Sequence, residues 1–168
     1  MHHESSYCNL FAHPVYNIMF HIIDNIYLSN RHDAANLQLI DSNDIQIVIR
    51  LSEDTNEVGR RPSGTFGPLS IYPEAIQFYN FELEDNCLFK SEMIQYSKLI
   101  KDIILRNKHK HVLIHCNEGQ SRSVSAIIYY LMTTYKIGFD ASLAWVKKMK
   151  PDAKPNSAFE TVLRAFDP

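Results

Sequence analysis

The sequence predicts an α/β fold: a central, mainly parallel sheet flanked by helices, with a reactive site at the carboxyl end of one strand. Three observations carry this. Val112-Leu113-Ile114 is a short apolar, largely β-branched run that reads as a buried strand. Helical patterns flank it, Ser91 to Arg106 before and Val124 to Tyr135 after. Between the strand and the second helix stands His115-Cys116-Asn117-Glu118-Gly119-Gln120-Ser121-Arg122-Ser123, which reads as an anion-binding turn. A sheet built from such alternation is covered by helices, and its ligands sit beyond the carboxyl ends of the strands.

The elements follow in order. Tyr79, Phe81 and Leu83 alternate as in a strand that runs into a loop at Asp85. Ser91 to Arg106 carries Met93, Tyr96, Ile100, Ile103 and Ile104 on one face. After the turn, Val124, Ile127, Ile128, Leu131, Met132 and Tyr135 recur at helical spacing. Asp140 is expected to cap a helix holding Leu143, Trp145, Val146 and Met149, which Pro151 ends. A last helix starts near Asn156 or Ser157, with Ser157 and Glu160 as a capping box and Phe159, Val162, Leu163 and Phe166 on its buried side. No internal repeat or low-complexity linker interrupts the chain.

Composition restricts function. The 168 residues, 45% hydrophobic, supply one core and not two, so a single domain is expected. A net charge of −2 lacks the basic excess that would favour nucleic acid, and no apolar run is long enough to cross a bilayer. The first residues carry histidines and Glu4 in place of a basic and then apolar leader, and Gly does not follow Met1. Neither secretion nor myristoylation is therefore expected. Cys8, Cys87 and Cys116 make no disulfide framework, which points to a reducing compartment, cytoplasmic or nuclear.

The turn carries the chemistry. Successive N–H groups at a helix N-terminus suit a phosphate, and Gly119 lets the backbone aim them inward. The same field favours a thiolate at Cys116, a competent nucleophile at neutral pH. Arg122 offers a planar fork that grips two phosphate oxygens at once. The Ser123 hydroxyl is placed to donate to the cysteine sulfur and ease its departure. His115 is expected to hold the loop by hydrogen bonds and not to act as a base. The alternative, a buried cysteine that happens to lie near an arginine, does not explain His-Cys, a glycine three residues on and Arg-Ser together at one strand-to-helix turn.

This stretch resembles the signature of the cysteine-dependent protein phosphatases, and the chain as a whole resembles their dual-specificity branch. Ile23 to Asn30, with Ala34, Ala35 and Asn36 after it, is similar to the family's opening strand and first helix, and Ile45 to Leu51 to its next strand. Phe81-Glu82-Leu83-Glu84-Asp85-Asn86, about thirty residues before the cysteine, is similar to the segment carrying the family's general acid. Lys154-Pro155-Asn156, with Phe159 and Leu163, resembles its C-terminal helix. The few glycines and many isoleucines are similar to those of compact virus-encoded members. The resemblance implies a catalytic domain over residues 21–168 behind an N-terminal segment 1–20.

Chemistry asks for an acid independently of the resemblance, because the leaving oxygen of a phosphoserine, phosphothreonine or phosphotyrosine must be protonated. Asp85 is the candidate, acting next as the base that takes a proton from water; Glu82, Glu84 and Glu92 are its rivals. The expected catalytic set is thus Cys116, Arg122, Asp85, Ser123 and His115. Asn117, Glu118, Gly119, Gln120, Ser121 and Arg122 bind the phosphate. This chemistry calls for no cofactor and no metal, and its partner is a phosphorylated protein.

Some features fall outside that pattern. Asp54 to Glu74, turn-rich and longer than the family's connection, reads as an inserted loop, either plain surface or a rim from which Arg60 and Arg61 read acidic or doubly phosphorylated substrates. Cys87, two residues after the acid, reads as a surface or structural thiol, with a disulfide to Cys116 under oxidation as the alternative. His109, His111 and His115 alternate as a metal site would, but no second ligand cluster accompanies them. The first two are expected to be exposed beside Lys108 and Lys110.

Within the resembled family, the neutral or acidic residues of the turn disfavour inositol lipids, and the charge balance disfavours RNA 5′ phosphates. A phosphoprotein-binding adaptor without catalysis is the rival from another class, and such adaptors usually lose the cysteine or the arginine. The expected function is therefore hydrolysis of phosphotyrosine and phosphoserine or phosphothreonine through a cysteinyl-phosphate.

Overall fold

The computed structural model describes residues 18–53, 59–60, 66–67 and 72–166. In chain order these form β1 (Phe20–Ile23), β2 (Ile26–Ser29), α1 (Arg31–Ala34), α2 (Leu37–Ser42), β3 (Ile45–Ser52), β4 (Gly59–Arg60), β5 (Phe66–Gly67) and β6 (Gln77–Glu82). A 3-10 turn (Cys87–Phe89), α3 (Lys90–Arg106), β7 (His111–His115), α4 (Arg122–Tyr135), α5 (Phe139–Met149) and α6 (Ser157–Ala165) follow. The expected mainly parallel sheet is present. Its order is β1-β2-β7-β3-β6, with β2, β7, β3 and β6 parallel and β1 antiparallel at the edge. β7 lies at the centre, which sets the residues after His115 at the middle of the sheet's carboxyl edge.

Both faces of the sheet are covered, so its central strands are apolar on both sides. Ile47, Ile49, Leu51, Val112 and Ile114 pack into a core with Ile100, Ile104, Val124, Ile127, Leu131 and Phe159 from the helices beyond. Val48, Leu113 and Phe78 face the other way, onto Ala34 and Ile40 of α1 and α2 and onto Tyr72, whose hydroxyl donates to the Ala34 carbonyl. Residues Arg122 to Met132 of α4 are all buried, making α4 the central helix of the thicker layer. Tyr135, expected on its apolar stripe, is 41% exposed and donates to the Asp24 carboxylate.

Three expectations about the elements change. The segment similar to an opening strand is a hairpin, β1 and β2 turning at Asp24 with φ 48°, so β1 was not foreseen. Asp140 does not cap α5. Gly138 holds the N-cap position with no side-chain bond, and the Asp140 carboxylate pairs with Arg164 of α6, an alternative that an exposed arginine makes available. The capping box at Ser157 is also absent, because Asn156 one residue earlier accepts from the Phe159 N–H at 2.8 Å and Glu160 pairs with Arg164. Trp145 and Met149 lie at 43% and 45% exposure, while Val146 alone of that stripe is fully buried.

Within residues 54–74, read from the sequence as an inserted loop, β4 and β5 form a two-residue antiparallel ladder. Arg61 and the side chain of Arg60 lie outside the described residues, as do Cys8 and most of the N-terminal segment. Among the described residues no helix is long and apolar enough to cross a membrane.

Candidate active site

The turn between β7 and α4 is held from several directions. Gly119 has φ 68°, and a Cβ there would sit 2.6 Å from the Ser29 carbonyl oxygen. Both the left-handed conformation and the close approach to β2 exclude a side chain, as the sequence led us to expect of this glycine. The Arg31 N–H donates to the Asn117 carbonyl at 3.0 Å, and the Lys154 N–H donates to the Gln120 carbonyl at 2.8 Å. α1 and the segment before α6 therefore fix the turn from opposite ends.

Inside this frame the sequence-predicted residues divide into two sets. Asp85, Cys116, Glu118, Gln120, Ser121 and Arg122 line a cavity of about 430 Å³, together with Lys154, Pro155, Asn156 and Ser157. His115, Asn117, Gly119 and Ser123 stand behind its wall, and the Asn117 side chain accepts a long bond from Ser52. Cys116 is 2% exposed, and its Sγ lies 3.2 Å from the Ser123 hydroxyl. Arg122, the first residue of α4, is 5% exposed. Its Nη1 donates to the Leu83 carbonyl at 3.1 Å and lies 3.9 Å from the Glu53 carboxylate. Arg122 Nε is buried without a partner among the described residues, so the guanidinium keeps donors to offer an anion.

His115 is buried, with Nδ1 3.4 Å from the Cys116 carbonyl and Nε2 without a partner among the described residues. Burial pushes its pKa down to about 4, the backbone contact with Cys116 pulling part of the way back and Arg50 pushing further down. The ring is neutral at physiological pH.

Asp85 follows β6 in the bend before the 3-10 turn. Its Oδ1 accepts from the Ser121 hydroxyl at 2.6 Å and from Asn156 Nδ2 at 2.6 Å. Of the rival acids, Glu84 accepts from Asn86 and Glu92 from Ser91, and neither these nor Glu82 line the cavity. Sequence reasoning missed Lys154, Pro155, Asn156 and Ser157 as parts of the wall. A Pro-Asn pair before a helix signals an N-cap, but nothing local says that the cap returns to a turn thirty-five residues earlier.

Cys87 is exposed and does not line the cavity. His111 is half-buried, contrary to expectation. Its Nδ1 contacts the Asn43 carbonyl at 2.8 Å and its ring lies 5.2 Å from Tyr27, so it packs against the end of α2. His109 lies in the exposed turn before β7, and no three metal-ligating side chains cluster among the described residues.

A mainly parallel sheet with a cysteine-arginine turn at the carboxyl end of its central strand, faced by a carboxylate from the bend after the next strand but one, defines a class. The chain belongs to the dual specificity phosphatase family, whose catalytic-domain model matches residues 26–167. Among relatives, the protein phosphatase Slingshot homolog 3 of Homo sapiens is 25% identical over 147 residues, covering 86% of this chain and 20% of that protein. The putative tyrosine-protein phosphatase R622 of Acanthamoeba polyphaga mimivirus is 28% identical over 152 residues, covering 86% of this chain and 67% of that protein. The chain thus spans about a fifth of the length of its Slingshot relative. The crystal structure of DUSP15 shares the fold with a TM-score of 0.70 at 24% identity, covering 89% of this chain and 86% of that one.

Proposed function

We propose that residues 21–168 form a protein phosphatase domain that hydrolyses phosphotyrosine and phosphoserine or phosphothreonine through a cysteinyl-phosphate. The observation that carries this reading is that Cys116, Arg122 and Asp85 share the wall of one cavity. In the first step Cys116 Sγ attacks phosphorus, the P–O bond to the substrate oxygen breaks, and that oxygen takes the proton of Asp85. The Arg122 guanidinium and the N–H groups of the turn hold the three remaining oxygens as charge redistributes over them. In the second step water attacks the phosphorus and gives its proton to Asp85, releasing inorganic phosphate. Ser123, 3.2 Å from the sulfur, donates to it as it leaves as thiolate. His115 packs behind the turn as a neutral imidazole and takes no proton.

A net charge of −2 and the acids Glu118 and Asp85 on the cavity wall favour a phosphopeptide over a polyanion such as RNA. A thiolate nucleophile works in a reducing compartment, the cytoplasm or nucleus. The test is phosphate release from paired phosphotyrosine and phosphothreonine peptides in EDTA and reductant, by the wild type and by Cys116→Ser. Turnover of both peptides is expected, falling roughly 10⁴–10⁶-fold in the variant. Binding without turnover by the wild type would make the chain an adaptor and overturn the proposal, and turnover of neither peptide would turn attention to RNA and lipid phosphates.

A further inference from the structure

We infer that Ser121 and Asn156 are positioning residues that latch Asp85 to the phosphate turn and leave its Oδ2 as the oxygen that carries the transferred proton. This rests on Asp85 being the acid.

The hydrogen-bond directions leave little choice. Asn156 Oδ1 accepts the Phe159 N–H at 2.8 Å as the N-cap of α6, which fixes the amide orientation and turns Nδ2 toward Asp85. The Asn156 N–H donates to Ser121 Oγ at 2.9 Å, so the single hydroxyl proton of Ser121 is directed to Asp85 Oδ1 at 2.6 Å. Oδ1 therefore receives two donors, and a proton on that oxygen would face both of them. The carboxyl proton belongs on Oδ2, which has no hydrogen-bond partner among the described residues. Ser121 immediately precedes Arg122, and its own carbonyl accepts the Ser125 N–H in the first turn of α4. The latch thus ties the acid to the backbone that presents the nucleophile and the arginine, although Asp85 itself sits on an exposed bend. The sequence placed the acid where a strand runs into a loop. The geometry instead describes one held in place by the cap of a helix seventy-one residues away.

Leaving-group dependence tests this, because a well-placed acid matters for a poor leaving group and not for one that departs as a stable anion. The readout is the ratio of kcat/KM for phenyl phosphate to that for 2,4-dinitrophenyl phosphate, which reports the steps up to P–O cleavage. Asn156→Ser keeps a residue competent as N-cap but too short to reach Asp85. Asn156→Asp keeps the cap acceptor and replaces the donor with a second carboxylate. Ser121→Ala removes the other donor. Each is expected to lower the ratio by ~10-fold or more, and Asp85→Asn by ~10²–10⁴-fold. A purely structural role would lower both substrates in proportion and leave the ratio alone, and thermal melting of each variant identifies a loss of fold. If Asp85→Asn lowers the ratio while the Asn156 and Ser121 variants stay within about twofold of wild type, the latch is wrong. If Asp85→Asn leaves it unchanged, Asp85 is not the acid and the latch falls with it.

Discussion

A buried imidazole beside Cys116 makes the stability of this protein depend on pH. Burial is the main reason that His115 titrates near 4 in the folded chain and not at its usual 6.5. Between these values the unfolded chain binds a proton that the folded chain refuses. The stability that comes from keeping His115 neutral is therefore full above about pH 6.5 and is lost as pH falls toward 4. The whole difference is on the order of 3 kcal/mol, and about 2 kcal/mol of it falls between pH 7.5 and 5. Urea unfolding at those two pH values should show a decline in His115→Gln smaller than the wild type's by that amount. Equal declines would assign the acid sensitivity to other groups. At this scale legibility follows sequence distance. Cys116 and Arg122 were legible as members of one wall because one contiguous turn carries them, and Asp85 through the segment similar to the family's acid-bearing one, since chemistry alone left Glu82, Glu84 and Glu92 as rivals. Asn156 was legible as the start of a helix and not as a partner of Asp85, since no local pattern encodes a contact made seventy-one residues away.

Among the elements, the turn from β7 to α4 tolerates the least change. An alanine at position 119 would place Cβ 2.6 Å from the Ser29 carbonyl oxygen, and that oxygen belongs to a strand paired on both edges. With φ at 68°, Gly119→Ala also carries the left-handed penalty of ~1–2 kcal/mol, for a total cost of ~2–4 kcal/mol. The melting temperature is expected to fall by roughly 5–15 °C in calorimetry. kcat/KM should drop as well, because relief of the clash moves the turn that presents Cys116 and Arg122 to the cavity. A melting temperature within a degree of wild type would mean that the turn relaxes freely and that the glycine is incidental. The neighbouring helices α3 and α4 were legible from the spacing of their apolar residues, which burial alone determines. Their caps were less so. Asn156 and Ser157 are both competent N-cap residues, and tertiary geometry chose the first. Asp140 was drawn to Arg164, which no periodicity reveals. β1 escaped notice because an edge strand of four residues, one of them exposed and two half-buried, lacks the continuous apolar run of β3 or β7.

At the scale of the whole molecule, the parallel sheet and the position of the site followed from the alternation of elements. The inserted loop read at 54–74, and the role suggested for its arginines, fall largely outside the described residues. The two faces of the sheet do different work, and this was not legible, because apolar residues look alike whichever layer they enter. α6 belongs to the thicker layer. Phe159 is fully buried there, while Asn156 at the same helix's N-terminus reaches Asp85 and the preceding Lys154 N–H holds the turn. On the opposite face, Ile40 is 4% exposed in a cluster with Ile45, Val48, Phe78 and Leu113, away from the cavity. Phe159→Ala should cost ~3–5 kcal/mol and Ile40→Ala ~2–5 kcal/mol, each a large fraction of a typical 5–15 kcal/mol and each readable as a shift of the urea midpoint. Their catalytic consequences should differ. Well below both melting transitions, Phe159→Ala is expected to lower the ratio of phenyl phosphate to 2,4-dinitrophenyl phosphate turnover, because an unseated α6 carries Asn156 away from Asp85. Ile40→Ala should leave that ratio within about twofold of wild type, since stability lost on the α1–α2 face does not reach Asp85. If both variants shift the ratio alike, Asp85 responds to global loosening, and α6 is not the element that couples the core to the site.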